Sequence, residues 1–432
     1  MMDGGYGLLK NVRLLCASAR KVENCDILFF GRSKKESSRI CRIGQELALP
    51  SDQPVKLYTG ASRLYCRAFV DTACYLPSRP GRYGESFVAV ARAAQAGGFA
   101  TVALLPGAGN PLDTPLAVAG VIRESSTQDV QFLPVASIVT SDRTKSKLTD
   151  FSEMKKAGAV ALTVPDGRRL PQELLLEAMY RAAELDMTLY CPVSGNAFSQ
   201  KGAVNAGRIA KLLKVPGIVR CGELLSINES LLLAQESGCR IHIPVISLAE
   251  SVQAIRMAKD RGVRVTCGTA AQYFSLTEDD LIFRGVNAKL DPPLRTAEDR
   301  AAIVKGLRDG TIDCIAGDHR PCTKEEKGTE IKSGAFGAVG LETAFAAGLT
   351  FLVLPGKLDL FSLIEKMTEA PAAVLGVSPT LQSGSRMDLV LLDEEKEMIY
   401  TNNTLHGRAV NTPYYGTALR GCVGQRFIDG RM

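Results

Sequence analysis

The chain has 432 residues, 46% of them hydrophobic and 23% charged, with a net charge of +6. That length can bury a large core and more than one domain, and the composition is that of an ordinary globular protein. The positive charge is small and dispersed, which does not indicate a nucleic-acid surface, and no apolar run reaches the length of a membrane span.

Residues 8–15 and 25–30 read as short strands punctuated by turns, with no long helical period. Residues 69–76 form an apolar strand through Asp71, closed by Pro80-Gly81 and followed by a helical run over 85–96. Gly97-Gly98 leads directly into a second apolar strand, 99–106. The stretch 115–125 is ambiguous. Further strands are expected at 130–136 and 159–164, and helices at 171–185, 248–261 and 297–307. Strand character returns at 387–393, 398–400 and 421–430. Strands alternating with helices over roughly 300 residues predict a parallel sheet, and the span suits a closed (β/α)8 barrel of the TIM type. A doubly wound sheet is the alternative, but no Gly-x-Gly-x-x-Gly turn follows an early strand.

Twelve cysteines are scattered without paired zinc spacing, and the N-terminus lacks a signal-peptide pattern, so reduced thiols in the cytoplasm are expected. There are only three histidines, His242, His319 and His406.

The run from Phe69 to Tyr75 resembles the opening barrel strand of the cyclic amidohydrolases, and of the dihydroorotase family most closely. That strand ends there in Asp-x-His-x-His, whose histidines hold a catalytic metal; here the two positions are Ala73 and Tyr75. The segment Asp313-Cys314-Ile315-Ala316-Gly317-Asp318-His319-Arg320-Pro321-Cys322-Thr323, running on to Glu326-Lys327, is similar to the family's Asp-x-Ile-Ala-Thr-Asp-His-Ala-Pro-His-Thr-x-x-Glu-Lys. The resemblance makes Asp318 the match to the catalytic base, keeps His319, and puts Cys322 where a substrate-gripping histidine stands. Asp291, in Asp291-Pro292-Pro293-Leu294-Arg295, replaces a substrate-binding Asn, and Gly107 another. Phe336 and Gly337 lie in a segment kept almost intact, whose backbone would face substrate.

By the same comparison Pro192 and Val245 occupy two further metal-histidine positions, and His242 is a retained histidine that does not bind metal. Asp166 stands near the bridging ligand in a blurred register, and the family's Arg after His-x-His falls on Pro77 or Arg79. Ala, Pro and Val offer no lone pair to a metal, so no zinc or other cofactor is expected. The resemblance implies a composite β-sandwich from residues 1–67 and 385–432 beside a barrel over 68–384. The tail Asn411-Thr412-Pro413 with Gly416 fits it.

Two functions follow from that resemblance. One is a non-catalytic relative of dihydroorotase that supports assembly of aspartate carbamoyltransferase in pyrimidine synthesis, its scaffold kept because the outer surface carries the function. The other is a working hydrolase of a cyclic amide with an altered or metal-free site. A thiol site from Cys74 and Cys322 with His319 is imaginable, but pocket-lining cysteines are the simpler reading. His242 is expected as a satisfied core histidine, and His406 without chemistry. Asp318 is expected to be hydrogen-bonded to its neighbours, with Tyr75 and the cysteines filling the barrel mouth.

Overall fold

The structure, a computed structural model, describes residues 5–31, 38–50, 53–76, 86–107, 109–142, 147–165, 168–193, 198–378 and 380–427. Its centre is an eight-stranded parallel barrel whose strands neighbour each other in chain order. They are Phe69–Tyr75, Phe99–Leu105, Gln131–Ser137, Ala161–Thr163, Leu189–Tyr190, Ile241–Ile243, Val265–Ala270 and Cys314–Ala316. Each is buried on both faces, as a parallel sheet under a helical layer must be, and so reads in sequence as a continuous apolar run.

The seam between the last strand and the first is closed by few contacts. Cys74 and His319 form a parallel bridge, the Tyr75 amide donates to the His319 carbonyl at 2.9 Å, and the Gly317 amide donates to Asp71 Oδ1 at 2.7 Å.

Helices begin where the sequence supplies a cap. Ser86 accepts from the Ala89 amide before helix Phe87–Ala96, and Thr114 from Ala117 before Pro115–Ser125, with proline in the first turn. The ambiguous stretch is therefore a helix. Thr296 and Asp299 cap each other reciprocally at the start of Ala297–Asp309. Helices Gln172–Glu184 and Ala249–Asp260 fall within the expected runs.

Both chain ends enter one seven-stranded sheet. Gly5–Cys16 pairs with Lys21–Gly31, with Val55–Thr59 and with Leu64–Arg67, and Leu64–Arg67 pairs in turn with Leu389–Ile399, which pairs with Ala418–Phe427. A separate core fills it, built from Leu9, Leu14, Ile27, Phe29 and Tyr65 of the N-terminal strands and Leu389, Leu391 and Phe427 of the C-terminal ones. Inside the barrel a third cluster mixes small and large side chains across facing strands: Ala73, Ala103, Ala161 and Ala316 with Tyr75, Leu105, Leu133 and Tyr190. Among the described residues no helix is long and apolar enough to cross a membrane.

Candidate active site

The barrel mouth gathers the strand ends that the sequence singled out. Asp318 follows the eighth strand at φ 44°, left-handed backbone for a residue with a side chain, and is 2% exposed. Its Oδ1 accepts from Arg320 Nε at 3.0 Å and its Oδ2 from Gln272 Nε2 at 3.1 Å. The Arg320 guanidinium lies 3.7 Å from the centroid of the Tyr75 ring, within cation–π range. The carboxylate that the resemblance makes a base is thus held by a guanidinium and an amide, and that guanidinium is itself stacked on Tyr75, the side chain that the resemblance puts at a metal-ligand position.

The other ligand positions carry no donors. Ala73 is fully buried, Val245 is buried in the core between strands and helices, and Pro192 is half-buried. Among the described residues no group of three His, Cys, Asp or Glu could hold a metal ion. The described residues therefore do not fit a zinc centre, which needs several imidazole, thiolate or carboxylate ligands converging on one open position. Asp166, Pro77 and Arg79 lie outside the described residues.

Beneath the mouth lies a set of buried polar groups, Asp71, Tyr190, His242 and His319, of which sequence reading did not single out Tyr190. Asp71 accepts at Oδ1 from the Gly317 and Ala73 amides, at 2.7 and 3.3 Å, while Oδ2 has no hydrogen-bond partner among the described residues. Burial first, and the nearby Asp318 charge in lesser measure, push its pKa up to about 6. The Tyr190 hydroxyl and His242 Nε2 also lack partners. His242 does bond Thr266 through Nδ1 at 2.9 Å and packs its ring 4.7 Å from that of Tyr190, so the expected satisfied histidine is satisfied on one side only. His319 is buried, and neither ring nitrogen is bonded among the described residues. Burial lowers both imidazoles to about 3, so both are neutral at physiological pH.

The cysteines fit a lining role better than a thiol site. Burial pushes the Cys322 thiol up to about 11, Cys74 is fully buried, and His319 makes no bond through which to act as a base toward either. Cys322 instead lines a cavity of about 570 Å³ with Lys327, Arg408, Asn411 and Tyr415.

The loops that carried substrate contacts in the resemblance are braced from behind. Asn411 donates to the carbonyls of Arg320 and Gly337 at 3.0 and 3.1 Å and accepts from the Cys322 amide at 3.2 Å. Lys327, 3% exposed, donates to the carbonyls of Lys289, Ala335 and Gly337. Lys289 Nζ sits 4.4 Å from the Phe336 ring centroid. At Gly337 φ is 104° and a Cβ would stand 2.6 Å from that of Arg320, so only glycine fits. Tyr273 fixes the Asp291-Pro292 turn through the Pro292 carbonyl at 2.7 Å, and Gly107 exchanges backbone bonds with Asn110. His406 is not idle: its Nδ1 and amide both reach Glu342, tying the C-terminal loop to the barrel.

Comparison with known proteins places this arrangement. Curated dihydroorotases match end to end: that of Caldicellulosiruptor saccharolyticus is 30% identical over 98% of this chain and 97% of its own length. The chain belongs to the dihydroorotase family. The Bacillus subtilis dihydroorotase is 38% identical over 84% of this chain and 85% of its own. The family model described as dihydro-orotase-like matches residues 63–251, a span holding the first six strands of this family member's barrel. In fold it is similar to the L-hydantoinase (dihydropyrimidinase) of Arthrobacter aurescens, with a TM-score of 0.83 at 23% identity over 98% of this chain and 95% of that one.

Proposed function

We infer that this dihydroorotase-family chain does not carry out metal-dependent hydrolysis and acts as a structural and assembly subunit for aspartate carbamoyltransferase in pyrimidine biosynthesis. The observation that supports it is the state of the mouth. Four strand-end positions hold Ala73, Tyr75, Pro192 and Val245, and the remaining Asp318 carboxylate is occupied by Arg320 and Gln272. A metal-activated water needs the opposite: free lone pairs converging on an ion and a carboxylate able to take a proton. Selection on an outer surface keeps a fold whose pocket has changed, and an assembly role is of that kind.

The test has two arms. The purified chain should contain no stoichiometric zinc and turn over no dihydroorotate. Mixed with the carbamoyltransferase of the same organism, it should form a complex by sedimentation and raise that enzyme's thermal midpoint in a concentration-dependent way, as mass action requires. Turnover of dihydroorotate, or no complex at micromolar concentrations, would overturn the reading.

A further inference from the structure

The barrel has a second hollow, at the end opposite the mouth. Near the start of its first three strands, a cavity of about 360 Å³ lies between the barrel and the loop 380–386 that leads into strand Leu389–Ile399. Three arginines line it, Arg39, Arg67 and Arg386, against one carboxylate, Asp388. Hydroxyl and amide side chains, Thr101 and Gln131 among them, supply most of the remaining wall, and no aromatic ring is part of it.

The backbone forces these arginines together. Arg39 and Arg386 stand opposite each other in an antiparallel bridge, a placement in which like charges repel. Arg39 Nη1 donates to the Gly384 carbonyl at 2.7 Å. Arg386 Nε lies 2.8 Å from Asp388 Oδ2, and its Nη1 reaches Gln131 Oε1 at 3.4 Å, so the one carboxylate of the wall is already engaged. Arg67 brings a third guanidinium, whose Nη1 is buried and has no hydrogen-bond partner among the described residues. Burial lowers its pKa, and Asp388 and Glu369 offset that in lesser measure. A guanidinium keeps its charge even so, and a buried donor left unsatisfied is costly.

We propose that this cavity binds a small phosphorylated polyol whose phosphate is held by Arg39, Arg67 and Arg386. Three positive charges facing one negative leave an excess that a phosphate monoester dianion balances and a single carboxylate does not. Guanidinium groups suit phosphate because their forked N–H donors meet its oxygens in pairs. The volume exceeds that of a bare phosphate and lies at the small end of the ~300–1,000 Å³ of ligand sites, which leaves room for a group the size of a sugar. The hydroxyl and amide walls match the hydroxyls of such a group. Without an aromatic face there is no platform on which a nucleobase would stack. The site stands apart from Asp318 and does not depend on whether the mouth is catalytic.

Isothermal titration calorimetry on the purified full chain, in low-salt buffer free of phosphate, tests this with ribose phosphate, ribose, inorganic phosphate and adenosine monophosphate as probes. Ribose phosphate should bind with a dissociation constant below about 1 mM, inorganic phosphate roughly tenfold more weakly, ribose not at all, and adenosine monophosphate no tighter than ribose phosphate. Arg67→Gln and Arg39→Gln should each weaken ribose phosphate by about tenfold or more. Arg39 is exposed, so its variant should keep the circular-dichroism spectrum and thermal midpoint and serves as the test even where Arg67→Gln does not fold. Arg308→Gln, equally exposed on helix Ala297–Asp309, should change nothing. No binding of ribose phosphate up to about 10 mM would overturn the proposal. So would binding indifferent to Arg39→Gln or equally weakened by Arg308→Gln. Inorganic phosphate or the nucleotide binding tighter than ribose phosphate would overturn the polyol as the ligand.

Discussion

At the scale of single residues, the barrel interior stores a pH dependence. His242 and His319 have folded-state pKa values near 3, against an ordinary value of 6.5. Between those values the unfolded chain binds protons that the folded chain refuses, so each histidine removes about 1.4 kcal/mol of stability per unit as pH falls. Asp71 acts in the opposite sense. Its pKa is raised from 3.8 to about 6, so over that window the folded chain holds the extra proton and gains stability as pH falls. The net expectation is a loss on acidification from pH 6 to 4, steeper in Asp71→Asn because the compensating group is gone. Urea unfolding at several pH values measures both slopes; equal slopes would contradict the assignment. Asp318, His319 and Cys322 were legible in the sequence because a motif surrounds them. Arg320 and Gln272 were not: Arg320 is two residues from Asp318 within the motif itself, but nothing in one dimension says that it turns back onto that carboxylate and across the Tyr75 ring. Asp71 was visible as a carboxylate in an apolar strand, and only the closing seam gives it a partner in Gly317.

At the scale of elements, the motif that resembles a catalytic signature is also a piece of architecture. Thr323 accepts from the Glu326 amide while Glu326 caps back onto the Thr323 amide, and Lys327 then inserts beneath three carbonyls. Thr323→Ala should cost about 1 kcal/mol, the ordinary worth of a cap. Lys327→Met should cost about 3 kcal/mol, because it strands buried acceptors in place of one side chain. Denaturant titration of the two variants separates a cap from a brace. The segment thus has a structural task of its own: its Thr, Glu and Lys hold the loop without any metal. The strands at 69–76, 99–106 and 130–136 and the helices at 171–185, 248–261 and 297–307 were legible from periodicity, whereas helix Cys221–Ser237 and strand Val265–Ala270 were not, and the runs 387–393 and 398–400 join in the one strand Leu389–Ile399. The two-residue strand Leu189–Tyr190 was findable only by its match to a ligand-bearing strand, being too short to show alternation.

At the scale of the whole molecule, the barrel and the terminal sheet have separate cores, and the terminal one depends on both chain ends. Phe427 is 1% exposed and lies with ring centroids 5.7 Å from Tyr58 and 6.4 Å from Tyr65. Phe427→Ala should cost about 3–5 kcal/mol. Hydrogen exchange should show the loss in strands Gly5–Cys16 and Leu64–Arg67 while the barrel strands stay protected; uniform loss would mean the two cores unfold as one.

The pairing of Leu64–Arg67 with Leu389–Leu391 also carries a cost in time. The two partners are separated by roughly 320 residues of synthesis, about 16 to 65 s at 5–20 residues per second. Throughout that interval the N-terminal strands have emerged with the outer edge of Leu64–Arg67 unpaired and four of the twelve buried residues of their core, Met387, Leu389, Leu391 and Phe427, still missing, the condition in which sheet edges find the wrong chain. The ribosome, as much as the sequence, thus sets how long this protein must be kept from its neighbours.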